Sequence, residues 1–392
     1  MVRYAPADTV FPTDRPLSRQ AMVGRADEVG ELTAAISNGM NQIVVGPRRM
    51  GKTTLCRAVL DAAKDEGQYA AQLDLFGIPS LSVVADRLVD AAIGNRSAWL
   101  RARHALAKGG RSVASAATLK AVGELRDGVG DGLALALEPG YITKEPLAAF
   151  EKALQMCQRV AELDDRRLVL FIDEFQEMGG PHAPFGNPDQ VTKLMRAVLQ
   201  QCDRVTTLFA GSLEHMMRDL FAPAHRAFYQ WGAWHALRPI ETSEWLEGLE
   251  ERFGAQGLSL TRDAAQHLLE LSEGHVRVTM LLAKQAYLAT ILAGDNQVAR
   301  VAVATALEMA MAADAPSHET SVGELRGLGR HVLDVAERVA RGEPPYAGRP
   351  ARSTQRAIDT LASKGLIQKL GSHGRGGWRM IDPLLRRYLA ER

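Results

Sequence analysis

Gly46-Pro47-Arg48-Arg49-Met50-Gly51-Lys52-Thr53 decides the fold. It satisfies GxxxxGK[ST] in full, and its surroundings are those the motif requires. Asn41-Gln42-Ile43-Val44-Val45 before it is a short β-branched run that reads as a buried strand. After it, from Lys52, an apolar helical period begins. Glycines at both ends let backbone N–H groups curl around phosphate oxygens with no Cβ in the way. Lys52 is placed to reach the β- and γ-phosphates of a nucleotide, the Thr53 hydroxyl to ligate Mg²⁺, and the helix start to add its positive end.

Downstream, Leu168-Val169-Leu170-Phe171-Ile172-Asp173-Glu174 is the strongest strand signal in the chain. It delivers Asp173 at the strand tip, where a carboxylate holds Mg²⁺ through water. Glu174 comes next, placed to polarise an attacking water. Such an acid pair also serves as a helix cap; the phosphate loop upstream favours the metal and base roles. No guanine-type NKxD motif is visible, which favours ATP. Val205–Ser212 forms a further strand ending in Gly211-Ser212; the Ser212 hydroxyl has a γ-phosphate or lytic-water role, or a structural one. Arg277, in Glu273-Gly274-His275-Val276-Arg277, opens a helix from which a cation reaches a γ-phosphate, or else is a surface arginine.

Strands expected at 41–46, 69–75, 168–174, 205–212 and 235–240 alternate with helices at 27–38, 81–107, 147–162 and 190–202, which predicts a parallel α/β sheet. Residues 1–20 carry three prolines and read as an extended lead-in. Residues 109–140, rich in glycine, read as an insertion, part loop and part strand. From 241 the pattern is helical only, over 242–253, 262–272, 275–292 and 298–312. Ala313–Ser321 is polar and reads as a linker. The end of the chain reads helix, helix, two short strands about the glycine-rich turn 371–377, and a last helix: a winged helix-turn-helix. Arg352, Gln355, Arg356, Arg375 and Arg379 are expected to face outward there, with side chains suited to phosphate and base-edge contacts. The expected domains are therefore a lead-in (1–20), a P-loop core (21–240), a helical lid (241–316) and a winged helix (317–392).

The chain has 392 residues, 46% of them hydrophobic and 24% charged, which excludes a wholly disordered protein. The formal charge of +1 conceals an asymmetry. Residues 321–392 hold 14 Lys+Arg against 7 Asp+Glu, and the remainder 33 against 39. A basic tail suits an anionic partner, duplex DNA among them, or a solvated surface. Few aromatics interleave the charges, which argues against a single-strand stacking groove. Three cysteines without a CxxC point to reduced thiols and a cytoplasmic protein. No secretory signal and no eighteen-residue apolar run are read, so no membrane partner is expected.

Together these residues resemble the archaeal-type ATPases, a branch of the AAA+/STAND P-loop ATPases. Val23-Gly24-Arg25-Ala26-Asp27-Glu28 is similar to that family's VGRxxEL start, and the resemblance implies that Val23, Gly24 and Arg25 frame the adenine. Gly46 to Thr54 is similar to its P-loop, the Arg48-Arg49 pair included. Phe171 to Glu177 resembles its Walker B run, with the same Phe and Gln after Asp-Glu. Phe209-Ala210-Gly211-Ser212 resembles its sensor-1 segment, and Ser272 to Arg277 its sensor-2 turn, with Val276 where proline is usual. In Ala224–Gly232 the family's Pro-aromatic-aromatic-Arg step is altered: Ala227 replaces the proline, and Arg226, before the aromatics, is the substitute finger. The resemblance implies an ATPase using ATP and Mg²⁺ and carrying a winged helix that binds DNA or protein or packs on the ATPase. Three readings follow: a nucleotide-controlled switch, an oligomeric DNA-associated loader, and a nucleotide-binding scaffold with negligible turnover.

Overall fold

A computed structural model describes residues 4–96, 145–180, 183–370 and 377–392. The expected insertion at 109–140 lies outside the described residues. The chain divides into two compact units: residues 27–45 with 55–236, and residues 1–26 with 46–54 and 237–392.

The first unit is built on five parallel strands: β1 (Gln42–Val45), β2 (Tyr69–Asp74), β3 (Leu168–Asp173), β4 (Val205–Gly211) and β5 (Ala233–Ala236), in the order β2-β3-β4-β1-β5. β1, β3 and β4 are buried at every residue, as parallel strands covered on both faces must be. Register aligns their ends: Val45 lies opposite Gly211, and Asp173 opposite Asp74. The carboxyl edge of the sheet therefore carries Asp173, Gly211 and the point where β1 hands the chain to Gly46. β5 starts and ends earlier than the sequence suggests. Its partner β1 is only four residues long, and Pro239 has no N–H to extend the ladder. Helices α2 (Ala26–Ser37), α4 (Leu81–Ile93), α5 (Pro146–Leu163), α6 (Pro188–Leu199) and α7 (Glu214–Phe221) flank the strands in sequence, and α3 (Lys52–Asp65) follows the loop.

In the second unit, α8 (Thr242–Gly254), α9 (Arg262–Ser272), α10 (Val276–Ala293) and the start of α11 (Arg300–Gly327) enclose a core of Trp245, Leu249, Phe253, Leu268, Leu282 and Tyr287. A two-stranded parallel ribbon, β6 (Ser259–Leu260) with β7 (Gln297–Val298), ties the α9 and α11 starts together. α10 is long and apolar enough to span a membrane by length and composition, but just over half of it is buried within the protein.

Two expectations fail here. The lead-in is not extended: α1 (Ala7–Val10) is a helical turn, and Phe11 is fully buried against Phe253 at 4.8 Å and Tyr287 at 6.0 Å. Nor is 313–321 a linker, since α11 runs straight through it with Pro316 inside. Its inward stripe is Ala310, Asp314, His318, Val322 and Leu325, spaced for one helix face, but two members are ionisable and read as solvated. α11 thus joins the core above to a second one, where Val322 and Leu325 meet α12 (Arg330–Ala340), α13 (Ala351–Ser363), the antiparallel pair β8 (Ile367–Lys369) and β9 (Trp378–Met380), and α14 (Pro383–Ala390).

Candidate nucleotide site

In the second unit, the loop after β1 is shaped as a phosphate cradle. Gly51 has φ +89, which an L side chain rarely adopts, and Arg49 before it is also left-handed at φ +63. Lys52 is buried, and its ammonium donates to the Pro47 carbonyl at 2.8 Å, so the lysine is folded back over the loop it would serve. Three neighbours fix the loop. The Arg25 guanidinium donates to Met50 O at 3.3 Å, the Arg277 backbone N–H to Arg49 O at 3.3 Å, and Leu17 N–H to the Thr54 hydroxyl at 3.3 Å. Arg25 is itself held by Glu244, which accepts from its backbone N–H at 3.1 Å and caps the start of α8. Val23 is buried in the α8–α10 core, and Gly24 and Arg25 are both left-handed. The segment expected to frame the base is thereby brought beside Met50, whereas Thr54 is engaged by the lead-in.

The turn entering α10 is the other organised feature of this unit. Arg277 makes a two-point ion pair with Asp314 of α11, at 2.6 and 2.8 Å. Burial raises the Asp314 carboxyl, but the hydrogen bonds and charge of Arg277, then His318 and Arg49, outweigh it and hold the pKa below the usual carboxylate range. Burial lowers His275 and His318 against the pull of Asp382. Glu273, left-handed at φ +51, is clasped by Arg379 of β9 and Arg386 of α14. Five residues, 273–277, thus hold the phosphate loop, α11 and the C-terminal segment.

In the first unit, the chemistry sits at the end of β3. Phe175 is driven inward and stacks on Phe209 at 4.1 Å, with Phe221 and Phe228 around it. To bury Phe175 directly after a strand tip, the chain turns left-handed at Glu174, φ 49 and ψ 43. Asp173 is buried and accepts from Glu174 N–H at 2.9 Å. The Glu174 carboxylate accepts from Ser212 Oγ at 2.8 Å and from the Gln176 side-chain amide. The fold brings Glu174 and Ser212 into direct contact, whereas the sequence reading gave Ser212 a γ-phosphate, lytic-water or structural role; Gln176 is the member that reasoning passed over, although it stands in the quoted Phe171–Glu177 run.

Arg226, the finger candidate, donates to Asp189 at 2.7 Å within its own unit. On α13, Arg352, Gln355 and Arg356 are exposed, while Gln355 also accepts from Tyr346 and donates to Asp359 at 2.7 Å. Arg379 departs from its expected outward aim, because its guanidinium is spent on Glu273; Arg375 lies outside the described residues. Burial pushes the Cys157 thiol up to about 12 and Cys202 up to about 11, so neither supplies a thiolate near neutral pH. Among the described residues no three His, Cys, Asp or Glu side chains form a stand-alone metal site. The Thr53 hydroxyl in one unit and the Asp173 carboxylate in the other are each hard oxygen donors of the kind that Mg²⁺ takes.

A parallel sheet ordered β2-β3-β4-β1-β5, with a GxxxxGKT loop after β1 and an acid pair at the end of β3, is a P-loop α/β fold. The same fold is found in the Walker-type ATPase PABY2304 of Pyrococcus abyssi, similar over 97% of this chain and 99% of that one, with a TM-score of 0.69 and 14% identity. The ORC2 protein of Aeropyrum pernix, solved as ADPNP–ADP complexes, is similar over 99% of this chain and 96% of that one, at a TM-score of 0.57 and 18% identity. No protein-family model matches the chain, and no curated protein matches it in sequence.

Proposed function

We propose that this chain binds and hydrolyses ATP with Mg²⁺, and that its nucleotide state controls a C-terminal winged helix which engages a partner. Backbone N–H groups of 46–54 and Lys52 bind the phosphates; Thr53 and Asp173 are the protein ligands of Mg²⁺, which screens phosphate charge when bound. Glu174 accepts the proton of the attacking water, with Ser212 beside it. Arg226 is the candidate for a neighbouring subunit's site.

The observation that carries the switch reading is the turn 273–277. Its Arg277 N–H is bonded to the phosphate loop, its Arg277 side chain to Asp314, and its Glu273 to Arg379 and Arg386. A γ-phosphate in the loop competes with Asp314 for Arg277. Any shift of the turn then alters the grip of Glu273 on the C-terminal segment, a two-state element with different contacts in each state. Hydrogen exchange of the full chain tests this. Mg²⁺-ATP bound to Glu174→Gln should raise exchange across residues 378–390, and Glu273→Gln should do so without nucleotide. Identical exchange in all three samples refutes the coupling.

A second reading, an oligomeric DNA-associated loader, draws on the exposed Arg352, Gln355 and Arg356 of α13. Duplex affinity falling steeply with salt, and weakened for every sequence by Arg352→Ala with Arg356→Ala, favours it over a protein partner. We place the chain in the cytoplasm, a reading that rests on its three cysteines without a CxxC.

A further inference from the structure

We propose that Gln176 is a positioning residue for the Glu174 carboxylate, an inference that rests on the hydrolytic reading above. Gln176 lies on the 3-10 turn Phe175–Gly179 and is completely buried. Its side-chain N–H₂ donates to Glu174 Oε2 and reaches Ser212 Oγ at 3.5 Å. Ser212 Oγ donates to that same Oε2 at 2.8 Å. Two neutral donors, one from the turn after β3 and one from the end of β4, converge on a single carboxylate oxygen. They fix the rotation of the carboxylate about its last side-chain bond, and with it the aim of the other oxygen.

Stability does not explain the amide. The Gln176 Oε1 is buried without a hydrogen-bond partner. A half-satisfied buried amide is a worse filler than an apolar side chain of equal length. The fold also makes room for it: a Cβ at Gly211 would stand 2.7 Å from Gln176 Oε1 and 2.5 Å from Met217 Sδ. A glycine at the end of β4 and an amide at a destabilising position are both accounted for if the amide's work is done through Glu174. The Glu174 backbone is itself set in the left-handed region, and the two donors fix the carboxylate that it carries. Placement of reacting groups is steep in its effect: about 1 Å of error costs on the order of 10²-fold in rate.

Gln176→Met keeps the volume and removes the donor. It should melt at or above the parent temperature, bind Mg²⁺-ATP within about threefold of parent by calorimetry, and lose about 10–10²-fold in kcat. In a Glu174→Gln background the same change should leave the residual rate unaltered, because Gln176 acts only through Glu174; a structural role would lower the rate in both backgrounds. Gln176→Asn, one methylene shorter, serves as the milder variant if the methionine is not tolerated, and should show the same split between kcat and affinity. An independent readout needs no turnover. In ¹⁵N-labelled protein one Gln side-chain N–H₂ pair should be shielded from solvent exchange, vanish in Gln176→Met and move in Ser212→Ala. Parent-like kcat in Gln176→Met, or a Gln176 amide exchanging as freely as an exposed one, overturns the proposal alone. A parent chain that binds ATP without turning it over overturns the hydrolytic reading and this inference with it.

Discussion

Replacing Asp314 by Asn isolates the ion pair that holds Arg277 in its present position. The two side chains are only 14% and 10% exposed, and they meet through two hydrogen bonds of 2.6 and 2.8 Å. Asparagine keeps one acceptor, loses the charge, and turns its own N–H₂ toward a guanidinium. Removing one partner of a buried pair costs about 3–5 kcal/mol. The remaining exposure and the surviving acceptor bring the expectation here to about 2–3 kcal/mol, since one hydrogen bond to a charged group contributes about 1.5–3 kcal/mol. For a folding unit of this size that is a drop of roughly 5–10 °C. The loss has a defined pH dependence. Asp314 is held below the unfolded carboxylate value of about 3.9. Its contribution is therefore complete above that value and is lost as pH falls through the folded pKa. Urea melts of parent and variant should diverge fully at pH 7 and converge as the pH drops below about 4. A gap under about 0.5 kcal/mol at pH 7, within the range of ordinary surface substitutions, would refute the reasoning. So would a gap that persists undiminished once the parent carboxyl is protonated.

Lys52→Ala should abolish Mg²⁺-ATP affinity in calorimetry while leaving the circular dichroism spectrum unchanged, because the ammonium's interaction with Pro47 O is confined to the loop. Glu174→Gln should retain ATP and hydrolyse it about 10²–10⁴-fold more slowly in a phosphate-release assay. Gly211→Ala should destabilise by about 1–3 kcal/mol in denaturant, since its methyl would collide with Met217 and Gln176.

The sheet was legible because its strands are continuous apolar runs and its phosphate loop is a motif with a fixed strand-to-helix setting. Gln42–Val45, Leu168–Asp173 and Val205–Gly211 carry nothing that competes with a buried strand. The lead-in failed for a different reason: a four-residue helix has no period to detect, and Phe11 declares its burial only once Phe253 and Tyr287 are in place. At α11, Asp314 and His318 occupy inward positions, so a helix face looked like a polar linker; Asp314 fits there through Arg277, 37 residues earlier, and His318 packs against Tyr388. Glu174 stood out as a candidate base from its place after a strand tip, but its two donors come from separate segments, Gln176 and Ser212, and only the fold shows that they share one oxygen. The same holds for Arg379. Sequence composition marks it as an outward cation, whereas Glu273, more than a hundred residues away, already holds it.

Calorimetric titration of Mg²⁺-ATP into the full chain, followed by phosphate release from the same sample, tests the central claim most directly. The account predicts one saturable site per chain and turnover that depends on Glu174. No heat of binding in the parent chain, or binding and turnover unaltered in both Lys52→Ala and Glu174→Gln, would contradict it.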